Sequence, residues 1–286
     1  MDKPQSVPQR YVGRRIVAII QARMSSSRLP GKVLRDIGGQ PMLARVVERT
    51  RLAQTLDEVI VATTSDPSDD PIAIFCAQRN YPFYRGSLHD VLDRYYQGAQ
   101  AFSAQVIVRI TADCPLIDPA VIDQTVRAFL GQAGSDTSCS VISSPESRMG
   151  PDEDFPWDFA ANRLPPPWGR TYPIGLDTEI CTFQALEQAW KEADQAYQRE
   201  HVMPYLYDHG AFRAILLNTE PDFGRLRWTV DTAEDLELVR QIFAHFAPRW
   251  DFSWLEVVEL FKRQPSLARI NQQVQHKDFR DVDSRR

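Results

Sequence analysis

Between residues 16 and 142, short runs of β-branched residues alternate with stretches whose apolar residues recur at helical spacing. The first run, Ile16-Val17-Ala18-Ile19-Ile20, is too short for a free-standing helix and is followed at once by chain breakers. It reads as a strand buried on both faces. Further strands are expected at 58–64, 82–86 and 106–111. Helices are expected over 41–55, from 69, over 88–102 and over 119–130, several opened by Pro or by a Ser-x-x-Asp start. Such alternation closes a mostly parallel sheet between two helical layers, a three-layer α/β fold whose ligands sit at the carboxyl ends of the strands.

The strand at 16–20 runs into a loop that carries three serines, one glycine and the cations Arg23, Arg28 and Lys32 within ten positions. Hydroxyls, loop amides and a close-approaching backbone suit a polyphosphate, and guanidinium and ammonium groups supply its countercharge. The simplest occupant is a nucleoside triphosphate. Neither G-x-x-x-x-G-K-[ST] nor G-x-G-x-x-G occurs, so a P-loop hydrolase and a dinucleotide enzyme lose their main support. A basic surface loop after a core strand is the competing reading.

At 286 residues, with 43% hydrophobic and 25% charged residues, the chain has the composition of a soluble globular protein with one large domain. Its net charge of -5 argues against a general nucleic-acid binder. No apolar run approaches the roughly 18 residues of a membrane span. Cys76, Cys114, Cys139 and Cys181 lie far apart, which suggests neither a zinc site nor a disulfide framework, and a cytoplasmic setting is expected. Residues 1–14 read as a loose leader, 15–262 as a single domain, and 263–286 as a C-terminal helical arm and polar tail.

The alternation breaks over 143–175, where seven prolines exclude regular structure and suggest either a lid or a surface excursion. Asp152-Glu153-Asp154 within it reads as a solvated acidic loop. Order returns with strands at 177–183, 212–217 and 226–230, a helix at 184–193, another opening at Arg199, and amphipathic helices at 233–246 and 252–261. Asp113 lies just beyond the strand at 106–111, and Asp231 just beyond the strand at 226–230. Taken singly, either aspartate reads as a helix cap. Taken with the cationic loop, the pair reads as a Mg²⁺ site facing phosphate oxygens.

The blocks Q-A-R-M-S-S-S-R-L-P-G-K, F-Y-R-G-S-L-H-D-V-L-D-R-Y, V-R-I-T-A-D-C-P-L-I-D, Y-P-I-G-L-D-T-E, R-E-H-V and R-W-T-V-D-T-A-E-D-L-E occur in this order between residues 16 and 246. Together they resemble the cytidylyltransferase family of spore-coat polysaccharide biosynthesis, which is related to the acylneuraminate and 3-deoxy-manno-octulosonate cytidylyltransferases. The resemblance implies a Rossmann-like nucleotide-diphospho-sugar transferase fold with a mixed, mostly parallel sheet. It implies that CMP is transferred from CTP to a 2-keto sugar acid, with pyrophosphate released. By position it implies that Ala22, Arg23, Arg28 and Lys32 contact CTP and that Ser87 lies near the cytosine with Arg85 assisting. Asp113 and Asp231 match the magnesium carboxylates, and Asp177, Glu179, Arg199 and His201 fall in blocks facing the sugar. Lys32, Arg23, Asp113 and Asp231 are then the catalytic set. Glu179 or His201 offers a base, although His201 also reads as a packed helix residue. Where the family's loop often has Met-Gly-Ser, this chain has Met24-Ser25-Ser26. A homodimer is expected, with residues 250–254 or the sheet around Asp177 as its apolar patch. A glycosyltransferase using a nucleotide sugar and a non-catalytic scaffold are the competing readings.

Overall fold

The computed structural model describes residues 14–134, 137–144, 154–208 and 210–275. β1 (Ile16–Gln21) leads through the cationic loop to a small ribbon, β2 (Asp36–Ile37) and β3 (Gln40–Pro41), and then to α1 (Met42–Thr50). The alternation continues through β4 (Glu58–Thr64), α2 (Asp70–Gln78), β5 (Phe83–Gly86), α3 (Val91–Ala101), β6 (Val106–Thr111) and α4 (Pro119–Phe129). β7 (Ser138–Ser143), β8 (Phe159–Ala161), β9 (Glu179–Thr182), α5 (Phe183–Glu192), α6 (Ala196–His201) and α7 (Pro204–Asp208) follow. β10 (Ala214–Asn218), α8 (Ala233–Phe246) and α9 (Trp254–Arg263) complete the set.

Eight strands form one sheet in the order β5-β4-β1-β6-β9-β8-β10-β7. The first four run parallel, β9 and β7 run against their neighbours, and β8 pairs parallel with β10. β1 explains why a continuous apolar run was needed. Ala18 and Ile20 face the layer that holds α1, α4, α8 and α9, while Val17 and Ile19 face the layer of α3, α5 and α7. Both faces are dry, and burying a side chain such as Ile19 contributes about 2 kcal/mol.

The chain leaves β1 toward β4 and β5 on one side and returns to β6 on the other. Gln21 and Thr111 end the two strands side by side. A crevice opens where the winding reverses, beyond the carboxyl ends, and that is where ligands bind in sheets of this kind.

Three expectations are corrected. Residues 143–175 are not free of regular structure: Phe159-Ala160-Ala161, a proline-free run, is a fully buried strand between β9 and β10. Residues 226–230 form no sheet strand; they are extended, with one bridge between Ile174 and Arg227, and Val230 N–H donates to Asp113 O at 2.8 Å. Arg199 lies near the end of α6 rather than opening a helix, because Gln195 and Gln198 form the capping box. Asp152 and Glu153 lie outside the described residues, as does most of the leader and the end of the tail.

Candidate active site

The loop after β1 is held from beneath. Asp69, buried, accepts the Met24 N–H at 2.6 Å and the Thr64 hydroxyl at 2.5 Å, so its carboxylate fixes the loop instead of capping α2. Gly31 N–H returns to Met24 O at 2.9 Å, and Gly31 turns the chain at φ +68°, a region glycine enters without steric cost. Ser25 is not among the non-glycine residues at positive φ, so this position needs none of glycine's freedom.

Lys32, on the short helical turn that follows, points under the crevice and is buried. Its ammonium donates to Asp113 Oδ2 at 2.8 Å, Asp231 Oδ1 at 2.9 Å and Val230 O at 2.8 Å, which uses all three protons. The two aspartates are 118 residues apart in sequence and are joined by the Val230–Asp113 backbone hydrogen bond. Gly175 lets its own segment lie against residues 228–229 beside this contact: a Cβ there would lie 2.7 Å from Thr229 N. Burial opposes the charge on Lys32, but Asp113 and Asp231 outweigh it and raise its pKa. Burial likewise opposes the charge on Asp231, and Lys32 and Arg28 overcome it, holding the carboxyl well below the usual range. Neighbouring Cys114 is buried and its thiol is pushed well up, so it is no nucleophile.

Opposite the loop stands a second charged wall. Arg109 on β6 reaches across to Glu179 on β9, its cross-strand partner, and burial of Arg109 is outweighed by that carboxylate, so its pKa is raised. Residues 163–170 form a proline hairpin closed by the Arg163–Arg170 bridge and by Leu164 N–H to Gly169 O at 2.9 Å. Both arginines converge on Asp177, Arg170 at 2.8 Å and Arg163 at 3.3 Å. Burial would raise the Asp177 carboxyl, but the two arginines hold it at about 2.

A cavity of about 700 Å³ lies between these walls. Ala22, Arg23, Arg28, Lys32, Asp113, Glu179, His201 and Asp231, eight of the residues singled out from sequence, line it. Four do not. Arg85 is taken up by Thr64 O, Asp66 O and Asp70, and Ser87 accepts the Asp90 N–H at 3.0 Å, both near the end of β5. Asp177 stands behind the arginines that line the wall. Arg199 donates to Asp90 and to Trp190 O and stands off the lining. Sequence reasoning missed Arg109, Arg163, Arg170 and Tyr207, all on the lining. Arg109 could have been found as the one charge inside an apolar strand; the hairpin arginines carry no such signal.

Among the described residues no group of three or more His, Cys, Asp or Glu is placed to hold a metal ion. The Asp113–Asp231 pair suits a hard cation that completes its shell with water and phosphate oxygens, and the Lys32 ammonium demonstrates that positive charge is tolerated between them.

A basic loop and paired carboxylates at the switch point of a mostly parallel sheet define a nucleotidyltransferase of Rossmann-like type. The chain matches the cytidylyltransferase family over residues 17–259, and it belongs to that family. It is 31% identical over 260 residues to the spore coat polysaccharide biosynthesis protein SpsF of Bacillus subtilis, covering 88% of this chain and 96% of that protein. It is 35% identical over 239 residues to the 3-deoxy-manno-octulosonate cytidylyltransferase of Sodalis glossinidius, covering 79% of this chain and 83% of that one. Among solved structures, a cytidylyltransferase from Leptospira borgpetersenii superimposes with a TM-score of 0.77 at 30% identity, covering 92% of this chain and all of that one.

Proposed function

We propose that the protein transfers CMP from CTP to a hydroxyl of a 2-keto sugar acid, for surface polysaccharide or glycan synthesis, and releases pyrophosphate. The observation that carries this reading is the Lys32 ammonium seated between Asp113 and Asp231 beneath a basic loop. Arg23 and Arg28 take the triphosphate and Lys32 adds its charge from between the two aspartates, with Ala22 at the loop start and Arg85 and Ser87 toward the cytosine. The acceptor lies against Glu179, His201, Arg163 and Arg170, where two guanidinium groups suit a carboxylate.

The acceptor oxygen bonds to the α-phosphorus as the α–β anhydride breaks. Negative charge moves onto pyrophosphate, toward the loop cations that are already in position, so stabilisation needs little reorganisation. Glu179 is engaged by Arg109, and His201, also on the lining, is the residue we assign to accept the hydroxyl proton. Asp113 and Asp231 would hold Mg²⁺, which supplies charge neutralisation on the phosphate oxygens.

A cytoplasmic homodimer completes the proposal. Residues 250–254 do not supply its interface, since Phe252 and Trp254 are packed into the protein's own core, and Asp177 is tied up by arginines. β7 supports pairing better: it ends the sheet, and Val141 on it is 60% exposed. The cysteines are unpaired, in keeping with a reducing compartment.

The test is pyrophosphate release from CTP and Mg²⁺ across a panel of 2-keto sugar acids. Release with one or more acceptors is expected. No release, together with nucleoside diphosphate formed from a nucleotide sugar, would replace this reading with a glycosyltransferase.

A further inference from the structure

Behind Asp231 lies a buried network that the reaction above does not use. Arg227 gives Nη2 to Asp231 Oδ2 at 2.8 Å, and through Nε and Nη2 it grips both oxygens of Asp235 at 3.0 Å. Asp235 is fully buried, and its Oδ2 also accepts the backbone N–H groups of Asp231 at 2.9 Å and Thr232 at 3.1 Å. Asn271, buried in the C-terminal segment, donates to Asp235 Oδ1 at 2.9 Å and to Arg227 O at 3.0 Å. A residue forty positions downstream of Asp231 thus holds both halves of the pair that supports it.

A free aspartate turns about its last torsion and offers a cation either oxygen or both. Here Oδ2 of Asp231 accepts from Arg227 at 2.8 Å and from Arg28 at 2.9 Å, while Oδ1 accepts only from Lys32 among these cations. Asp235 fixes the backbone of Asp231 as well, so neither main chain nor carboxylate is left to rotate. A buried ion pair contributes little net stability by itself, and a polar network kept at such cost is better explained by orientation.

We infer that Asn271, Asp235 and Arg227 are positioning residues that make Asp231 a one-oxygen ligand of the catalytic cation. The C-terminal segment is therefore part of the active site. This inference rests on the reading of Asp231 as a cation ligand under the proposed function.

The full-length chain is compared with Asn271→Ala and Arg227→Lys, the second keeping the charge but losing the planar fork. Gln272→Ala, at the exposed neighbouring position, is the control. Two quantities are read: the Mg²⁺ concentration for half-maximal pyrophosphate release, and the rise in Tm that Mg²⁺ adds to CTP, against CTP with chelator. Outer-shell partners of metal ligands typically matter 10- to 100-fold. Half-saturating Mg²⁺ is expected to rise about tenfold in Asn271→Ala and at least as much in Arg227→Lys. The Mg²⁺-dependent part of the Tm shift should shrink, the shift with CTP and chelator should stay, and Gln272→Ala should match wild type. An unchanged Mg²⁺ response in either folded variant, whatever its ligand-free Tm, overturns the inference and leaves Asn271 a structural anchor. A wild-type protein indifferent to Mg²⁺ overturns the functional reading itself, and that arm tells the two failures apart.

Discussion

Lys32 concentrates the chemistry of the site in one ammonium group. It neutralises two carboxylates that would otherwise repel each other, and it follows the basic loop after β1 that lines the same cavity. Lys32→Ala and Asp113→Asn are each expected to lower turnover by about 10²–10³, the range seen when one preorganised charge or donor is removed. Asp231 keeps Arg28 and Arg227 in both variants, so circular dichroism should report an unchanged fold. Asp177 makes a pH prediction. Its carboxyl is held at about 2 against an ordinary 3.8, so its contribution to stability is fully present above pH 3.8 and is lost as the pH falls toward 2. Asp177→Asn should cost about 2 kcal/mol at neutral pH and flatten the fall of urea stability across that window. Lys32, the Asp113 and Asp231 pair and the loop arginines could be singled out from the sequence, since each lies just beyond a readable strand and together they make one charged set. Arg163 and Arg170 were not, because their role depends on a hairpin that carries them to Asp177.

The elements around the site are tied together by buried polar side chains rather than by apolar packing alone. Arg49 on α1 is almost wholly buried and donates to Ile117 O at 2.8 Å, Trp250 O at 2.5 Å and Phe252 O at 2.9 Å, with its guanidinium over the Phe252 ring. Burial lowers its pKa to about 10, so it stays charged at neutral pH. It joins α1, the connection after β6 and the chain before α9. Arg49→Met keeps the bulk and strands three carbonyls. A loss of about 3 kcal/mol is expected, read as a lower urea midpoint with an unchanged slope. Element types were largely readable because their periods are strong: β6 and α8 fall where the pattern set them, α8 with its Thr232–Asp235 capping box. β8 was not, because three apolar residues among prolines carry no period; only its neighbours β9 and β10 make it a strand.

At the level of the whole molecule, the site exists because the sheet reverses its winding between β1 and β6 and brings distant segments to one crevice. Mg²⁺ with CTP at a hundred times its dissociation constant should stabilise the protein by about 2.7 kcal/mol, seen as a Tm rise of several degrees in differential scanning fluorimetry. An equal rise with the other nucleoside triphosphates would argue against cytosine selection. The sequence alone determined the class of fold and singled out the basic loop and the acidic residues, because strand and helix periods and short charged blocks are local properties. Only the tertiary structure decided that Asp113 and Asp231 meet at Lys32, that a proline hairpin forms the opposite wall, and that the C-terminal segment supports Asp231. Those contacts join residues tens to hundreds of positions apart, and no local pattern encodes which distant backbone will pair with which.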